Sequence, residues 1–211
     1  MAIKRIPPPI ETVMLDSNGI VTPPWANYFN SMYKILDETV WDDIRTPSNT
    51  SKAVAGSEAG DQAYKGGVVL AFSTTSDNAI AFNVQLPHKY QLGGDIEFHI
   101  HYALPTAGAG AGVENVKWDL TYSWSSIDAA IPDATTVTKT IDVQNLSAHT
   151  HYVGEIAATI DGTGQGISSM LICSLTRDIS VANDYAAAVY VMEVDFHIPE
   201  DTRGASQEFV K

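Results

Sequence analysis

The amino-acid sequence predicts an all-β fold, a two-sheet antiparallel jelly roll of about eight strands preceded by an extended arm and one short helix. Two observations carry this. Apolar and polar side chains alternate from Gly67 to the end of the chain with no helical periodicity among them. The first 23 residues hold Pro7, Pro8, Pro9, Asn18, Gly19 and Pro23, a composition suited to extended backbone. A chain of 211 residues accommodates one such body plus an arm. Eight antiparallel strands in this length favour a jelly roll over a seven-strand immunoglobulin sandwich of ~100 residues.

In chain order, Pro23 and Pro24 open a segment in which Trp25, Phe29, Met32 and Leu36 fall at helical spacing, which predicts an amphipathic helix over 24–38. The arm with its helix spans 1–45. Residues 46–66, rich in Ser, Thr, Gly, Ala and Asp, read as a linker, and 67–211 as the jelly-roll body. Val68 to Phe72 opens the body. Ile80, Phe82, Val84 and Leu86 then form one face of a strand stopped by Pro87, and Ile96, Phe98, Ile100 and Tyr102 one face of the next. Pro105 to Gly112, nearly all Gly and Ala, reads as a flexible hairpin or crossover. Trp118, Leu120, Tyr122 and Trp124 mark a further strand, with fainter ones over 135–143 and 150–160. Ile167 to Arg177 is apolar on both faces, as a central strand would be. In the last strand Tyr190, Met192, Val194 and Phe196 oppose Glu193, Asp195 and His197.

Composition narrows the function. The formal charge is −13, from 25 acidic and 12 basic side chains, so the field of the chain repels phosphate and argues against nucleic acid as a partner. Lys4 and Arg5 form the only basic cluster. Charged residues are just 18% of the chain, which suggests that a partner covers part of the surface. Cys173 is the sole cysteine and sits in an apolar run, as a core residue would. No apolar stretch approaches the ~18 residues of a membrane span, and the proline-rich start is no signal peptide.

The sharpest local feature is His99-Ile100-His101. Residues two apart on a strand share a face, so both imidazoles lie opposite Ile96, Phe98 and Ile100, beside Glu97. Three readings compete: an outward face that is solvated or meets a subunit; a transition metal on a threefold axis, where three chains would supply six imidazoles; and a cupin-like metal enzyme. Gly93 followed by His99 and His101 resembles the opening of the cupin motif in spacing. The chain has Pro105 and Thr106 where that pattern expects its Glu, and the alternation turns the histidines away from the core. His149-Thr150-His151 repeats the spacing and reads as separate surface positions, while His88 reads as a loop histidine. No serine-nucleophile elbow or phosphate loop is present: Ser168 is expected within a strand, and Gly162 to Gly166 reads as a hairpin turn. Arg177 is expected to fix the loop 179–185 by pairing with Asp178, Asp184 or Asp195. No catalytic or cofactor-binding residue is assigned, and the chain is read as non-enzymatic.

From Leu86-Pro87-His88 through Gly94-Asp95-Ile96, His99 to Tyr102, Val116-Lys117-Trp118, Ser169 to Ile172, Arg177-Asp178 and Asp195-Phe196-His197 to Gly204-Ala205-Ser206, the succession resembles virion proteins of phages and prophages. Gly19 to Trp25 with Tyr28-Phe29 is similar to the anchoring arms of phage head fibres, tail fibres and tail needles. The resemblance implies a homotrimer in the virion, assembled in the host cytoplasm. Its arm would use Ile10, Val13, Leu15, Trp25, Tyr28 and Phe29 to dock on a capsid, portal, adaptor or tail protein. It also associates the pair His99 and His101 with iron on the threefold axis. A receptor-binding adhesin is the alternative, with recognition by loops 107–112, 128–133 and 161–166.

Overall fold

A computed structural model of the chain describes residues 7–37, 40–47, 51–54, 56–110 and 112–201; Lys4, Arg5 and Gly204 to Ser206 lie outside them. The chain divides into two compact units, the first ending at Val40 and the second beginning at Trp41.

In the first unit the helix α1 runs Pro23–Asp37, one residue from its expected bounds at each end. The Thr22 carbonyl accepts the first helical hydrogen bond from the Ala26 N–H (2.9 Å), and Pro23 and Pro24 occupy the first turn, where a missing N–H leaves no bond unmade. The expectation of an extended arm is corrected. Leu15 and Val21 bridge across a tight turn, in which Asp16 Oδ1 accepts hydrogen bonds from the Asn18 and Ile20 N–H groups and Gly19 takes φ 77°. The Trp25 indole N–H donates to the Thr12 carbonyl (2.8 Å), which holds the arm to the helix.

The second unit is the jelly roll. Its main strands are β4 (Gly67–Phe72), β5 (Asn78–Gln85), β6 (Ile96–Ala103), β7 (Asn115–Ser125), β8 (Thr135–Asp142), β9 (Tyr152–Ile160), β10 (Met170–Asp178) and β11 (Val189–Glu200). One sheet has the order β4-β11-β6-β9 and the other β5-β10-β7-β8, all antiparallel. Numbered one to eight, these orders are 1-8-3-6 and 2-7-4-5, the paired Greek keys of a jelly roll. The expected linker is corrected as well. Together with the last residues of the expected arm it contributes β1 (Val40–Pro47), β2 (Lys52–Ala53) and β3 (Gly60–Tyr64), which extend the sheets by pairing with β11, β5 and β4. Edge strands need only one paired side and little burial, so their Asp, Gln and Gly content hid them.

The two inner faces meet through aromatic rings. Phe82 stacks on Phe98 (centroids 5.9 Å apart) and touches Phe196, and Phe72 packs edge-on against Trp118 (5.0 Å). Cys173 is buried with them, as expected. β10 is central in its sheet, but its outer side leaves Met170 and Ile172 exposed, so it is not covered on both faces. In β11 a bulge between Val191 and Glu193 moves the phase by one residue. Val189 and Val191 point inward before it, and Val194, Phe196 and Ile198 after it. The expected inward placement of Tyr190 and Met192 is thereby corrected.

Loops cap the sandwich tightly. Residues 105–110 are pinned, not free: the Gly108 N–H donates to the Leu146 carbonyl and that of Gly110 to the Gln144 carbonyl (both 2.9 Å). A Cβ on Gly108 would lie 2.0 Å from the Val143 carbonyl oxygen. Gly162 to Gln165 forms a turn, but β9 and β10 on either side of it lie in different sheets, so it is a crossover and not the expected hairpin. Ser168 lies in a turn at φ 58°, ahead of β10 and not within it. No helix among the described residues is long and apolar enough to cross a membrane.

Arg177, fully buried, joins the two sheets at one end. Its Nη1 donates to the carbonyls of Phe72 (3.0 Å) and Ala187 (2.9 Å), and its Nη2 to the Tyr185 carbonyl (2.6 Å) and Asp184 Oδ2 (3.0 Å). Of the expected partners it takes Asp184, whereas Asp178 pairs with Lys117. Removing the guanidinium strands four acceptors, those of Phe72 and Tyr185 buried and those of Ala187 and Asp184 part-buried. Arg177→Leu is therefore expected to lower stability by about 3–5 kcal/mol in urea unfolding, with little rescue by Arg177→Lys. A loss below about 1 kcal/mol would show that these carbonyls find other partners. The hydrogen bond from Lys117 holds the Asp178 carboxyl down at about 2. Its depressed value means that the pair stabilises the fold above the ordinary carboxylate range and that this contribution fades as pH falls toward 2. Asp178→Asn should make stability less steep over that acid window, read from unfolding midpoints at stepped pH.

Candidate functional site

The outer face of the β4-β11-β6-β9 sheet collects four of the six histidines of the chain. Register explains how. In the antiparallel β11–β6 pair, Glu193 stands opposite His101, Asp195 opposite His99, and His197 opposite Glu97. On the other side of β6, Glu155 stands opposite His99. Every rung thus sets an acid beside an imidazole, the favourable arrangement for directly opposed cross-strand residues. Strand β1, on the far side of β11, adds Trp41, Asp43 and Arg45 to the same face.

Asp195 lies at the centre with only 3% of its surface exposed. Its Oδ2 is 3.6 Å from His99 Nδ1, and its Oδ1 is 3.1 Å from His101 Nε2. That second approach is off the line of a hydrogen bond, so Oδ1 is buried without an aligned donor. Contact with the Asp195 carboxylate pushes the His99 imidazole up from its ordinary range, against the burial that pulls it down.

Glu97 Oε2 faces two rings, His99 Nε2 at 3.5 Å and His197 Nδ1 at 3.6 Å. The other nitrogen of His197 lies 3.6 Å from Asp43 Oδ1, and the Trp41 ring packs on the imidazole with centroids 5.0 Å apart. Arg45 clamps Glu193 with two parallel hydrogen bonds of 2.6 Å. Beside them opens a groove of about 450 Å³ lined by Asp43, Arg45, His101, His151, Met192 and Glu193.

His99 and His101 therefore occupy the outward face, as the alternation requires. The two His-x-His pairs are not separate: His101 Nδ1 and His151 Nε2 share a hydrogen bond of 2.8 Å, one ring donating to the other. His149 turns away, with φ 57° and its Nδ1 3.3 Å from the Tyr64 hydroxyl. His88 Nε2 lies 3.2 Å from Ser168 Oγ in the loops. Both nitrogens of His99 and of His101 already face groups of the same chain. Sequence reasoning missed Trp41, Asp43 and Arg45 because β1 carries no apolar period, and missed the His101–His151 meeting because it depends on register across β6 and β9.

The residues expected to dock lie in the first unit. Ile10 is 82% and Val13 71% exposed, and Leu15 and Phe29 are exposed too. Trp25 and Tyr28 are half-buried in mutual ring contact at 5.8 Å.

No protein-family model and no curated protein matches the chain. Among solved structures it is similar to the CBM36-1 domain of a multidomain xylanase from the hindgut metagenome of Trinervitermes trinervoides. The identity is 12%, the match covers 79% of this chain and 100% of that one, and the TM-score is 0.40. It is also similar to a structure of infectious bursal disease virus, Gx strain, at 10% identity, covering 80% of this chain and 34% of that one, with TM-score 0.38. A non-crystalline-cellulose-specific carbohydrate-binding module, CBM28, matches at 12% identity over 72% of this chain and 88% of its own, with TM-score 0.34.

Because Asp195 is the first cause of the raised His99 value, Asp195→Asn should return that imidazole toward its ordinary range. The measurement is the pH titration of the His99 ring Cε1–H by NMR. An unmoved midpoint would mean that the two side chains are not in contact in solution.

Proposed function

We propose that this chain is a non-enzymatic structural component of a bacteriophage particle. It docks on a capsid, portal, adaptor or tail protein through its N-terminal arm and displays the jelly roll as a homotrimer. The observation that carries the reading is the arm itself. Ile10, Val13, Leu15 and Phe29 are presented to solvent on a small unit in which no side chain among the described residues is buried, while the second unit buries an aromatic core of its own. Apolar side chains of this size, held out by a hydrogen-bonded turn, gain free energy only when another surface covers them. Covering the four would contribute on the order of 1.5–3 kcal/mol each if burial were complete. The resemblance of Gly19 to Phe29 to phage anchoring arms supplies the kind of surface. The net charge of −13 agrees with a protein partner and not a nucleic acid.

The test removes residues 1–40 and asks two things of the remainder. The truncated chain should stay soluble and folded and sediment as a trimer, yet fail to enter particles when expressed during phage assembly. Loading of the truncated chain at the level of the full chain would overturn the docking role. Charge replacements at Val13 and Phe29 should reduce loading at least tenfold with the β domain intact by circular dichroism.

A further inference from the structure

We propose that Glu97, His99 and His197 form a mononuclear binding site for a divalent transition ion of the zinc class, contained within one chain. The two rings and the carboxylate converge: one ligand atom from each lies within 4.8 Å of the other two. Zinc bound to imidazole at ~2.0–2.1 Å and to carboxylate at ~2.0–2.2 Å places neighbouring ligand atoms about 3.4 Å apart in a tetrahedron. The separations present are 3.5 Å from Glu97 Oε2 to His99 Nε2 and 3.6 Å to His197 Nδ1. These two separations need only small closure, while the two imidazole nitrogens, within 4.8 Å of each other, close on an ion by a shift on the order of an ångström, within side-chain rotation.

An independent observation concerns the nitrogens that point away from this centre. His99 Nδ1 faces the buried carboxylate of Asp195, and His197 Nε2 faces the exposed carboxylate of Asp43, each at 3.6 Å. Carboxylates behind both imidazoles are what a metal site uses to fix the tautomer and aim the ligating nitrogen. Asp195 is nearly fully buried, a costly position for a charge whose Oδ1 has no aligned donor. Charge points the same way. Glu97, Asp195 and Asp43 converge on one half-buried face, and the guanidinium nearest to them, Arg45, is already clamped by Glu193. A bound divalent cation offsets that repulsion. The Trp41 ring on His197 shields one side. Glu97, half-buried, leaves the centre open on the other, where a water or an external ligand completes the coordination.

The site differs from a threefold-axis centre in using Glu97 and His197 and in not using His101, which pairs with His151. The test titrates the full chain, freed of metal by chelation, with Zn²⁺ by calorimetry and with Co²⁺ by visible absorption. Expected are one ion per chain, ligand-field bands of a four- or five-coordinate Co²⁺ site, and loss of binding in His197→Gln and Glu97→Gln. Asp195→Asn should weaken Zn²⁺ binding 10–100-fold, whereas His101→Ala should change it less than threefold. Thermal unfolding of each variant in chelator confirms that it is folded, and either ligand variant alone is decisive. One ion per three chains, binding that survives loss of Glu97 or His197, or no saturable binding of either ion would overturn the assignment.

Discussion

The register of β11 on β6 is the constraint on which the rest of this molecule depends. The same pairing that sets Val194, Phe196 and Ile198 into the core sets Glu193, Asp195 and His197 against His101, His99 and Glu97 outside it. A slip of one residue would exchange the two sets, burying acids and exposing aromatic rings, so the aromatic core enforces the polar pattern. Phe196 against Phe98, with centroids 4.9 Å apart, lies next to Asp195 and His99 in sequence, so core and site are locked at adjacent positions.

The two outer faces of the sandwich have different chemistry. One concentrates imidazoles and carboxylates, several of them half-buried. The other, on β7, β8 and β10, is a ladder of hydroxyls, as where Thr121 and Thr136 meet at 2.9 Å, broken by exposed Met170 and Ile172. Arg177 closes one end between the sheets, and the glycine-rich loops close over neighbouring carbonyls. The body therefore offers partners two unlike surfaces held at fixed separation by a rigid core.

Much of the body was legible because amphipathic strands announce themselves. Ile80 to Leu86, Ile96 to Tyr102 and Trp118 to Trp124 each show period two, and each buries the face it advertises, Tyr122 only in part. The eight strands expected beyond Gly67 all form, and β1 to β3 add to them. Strands β1 to β3 were hidden because residues such as Asp42, Asp43, Asp61 and Gln62 give a strand no apolar alternation to read, and the backbone pairing that forms it leaves no trace in side-chain type. The candidate site was half legible: alternation gives the facing of His99 and His101, while their partners come from pairings some 50 to 100 residues distant in the chain. Asp195 reads in sequence as an outward acid, and only the flanking strands reveal that neighbours cover it. The arm was misjudged because Pro and Gly mark both extended chain and tight turns, and the Asx turn at Asp16 decides between them.

The bulge at Met192 carries an evolutionary consequence. The half-exposed side chain at this position has room to vary, so substitution there is tolerated by packing. The ladder accepts deletion as well, because Val191 stands opposite Tyr102 and Glu193 opposite His101, so a strand without Met192 keeps both rungs and the inward facing of Val191 and Val194. Descendants of this chain can therefore lose the letter at position 192 as well as change it, whereas a gap at a paired position beside it would turn the acids and imidazoles inward.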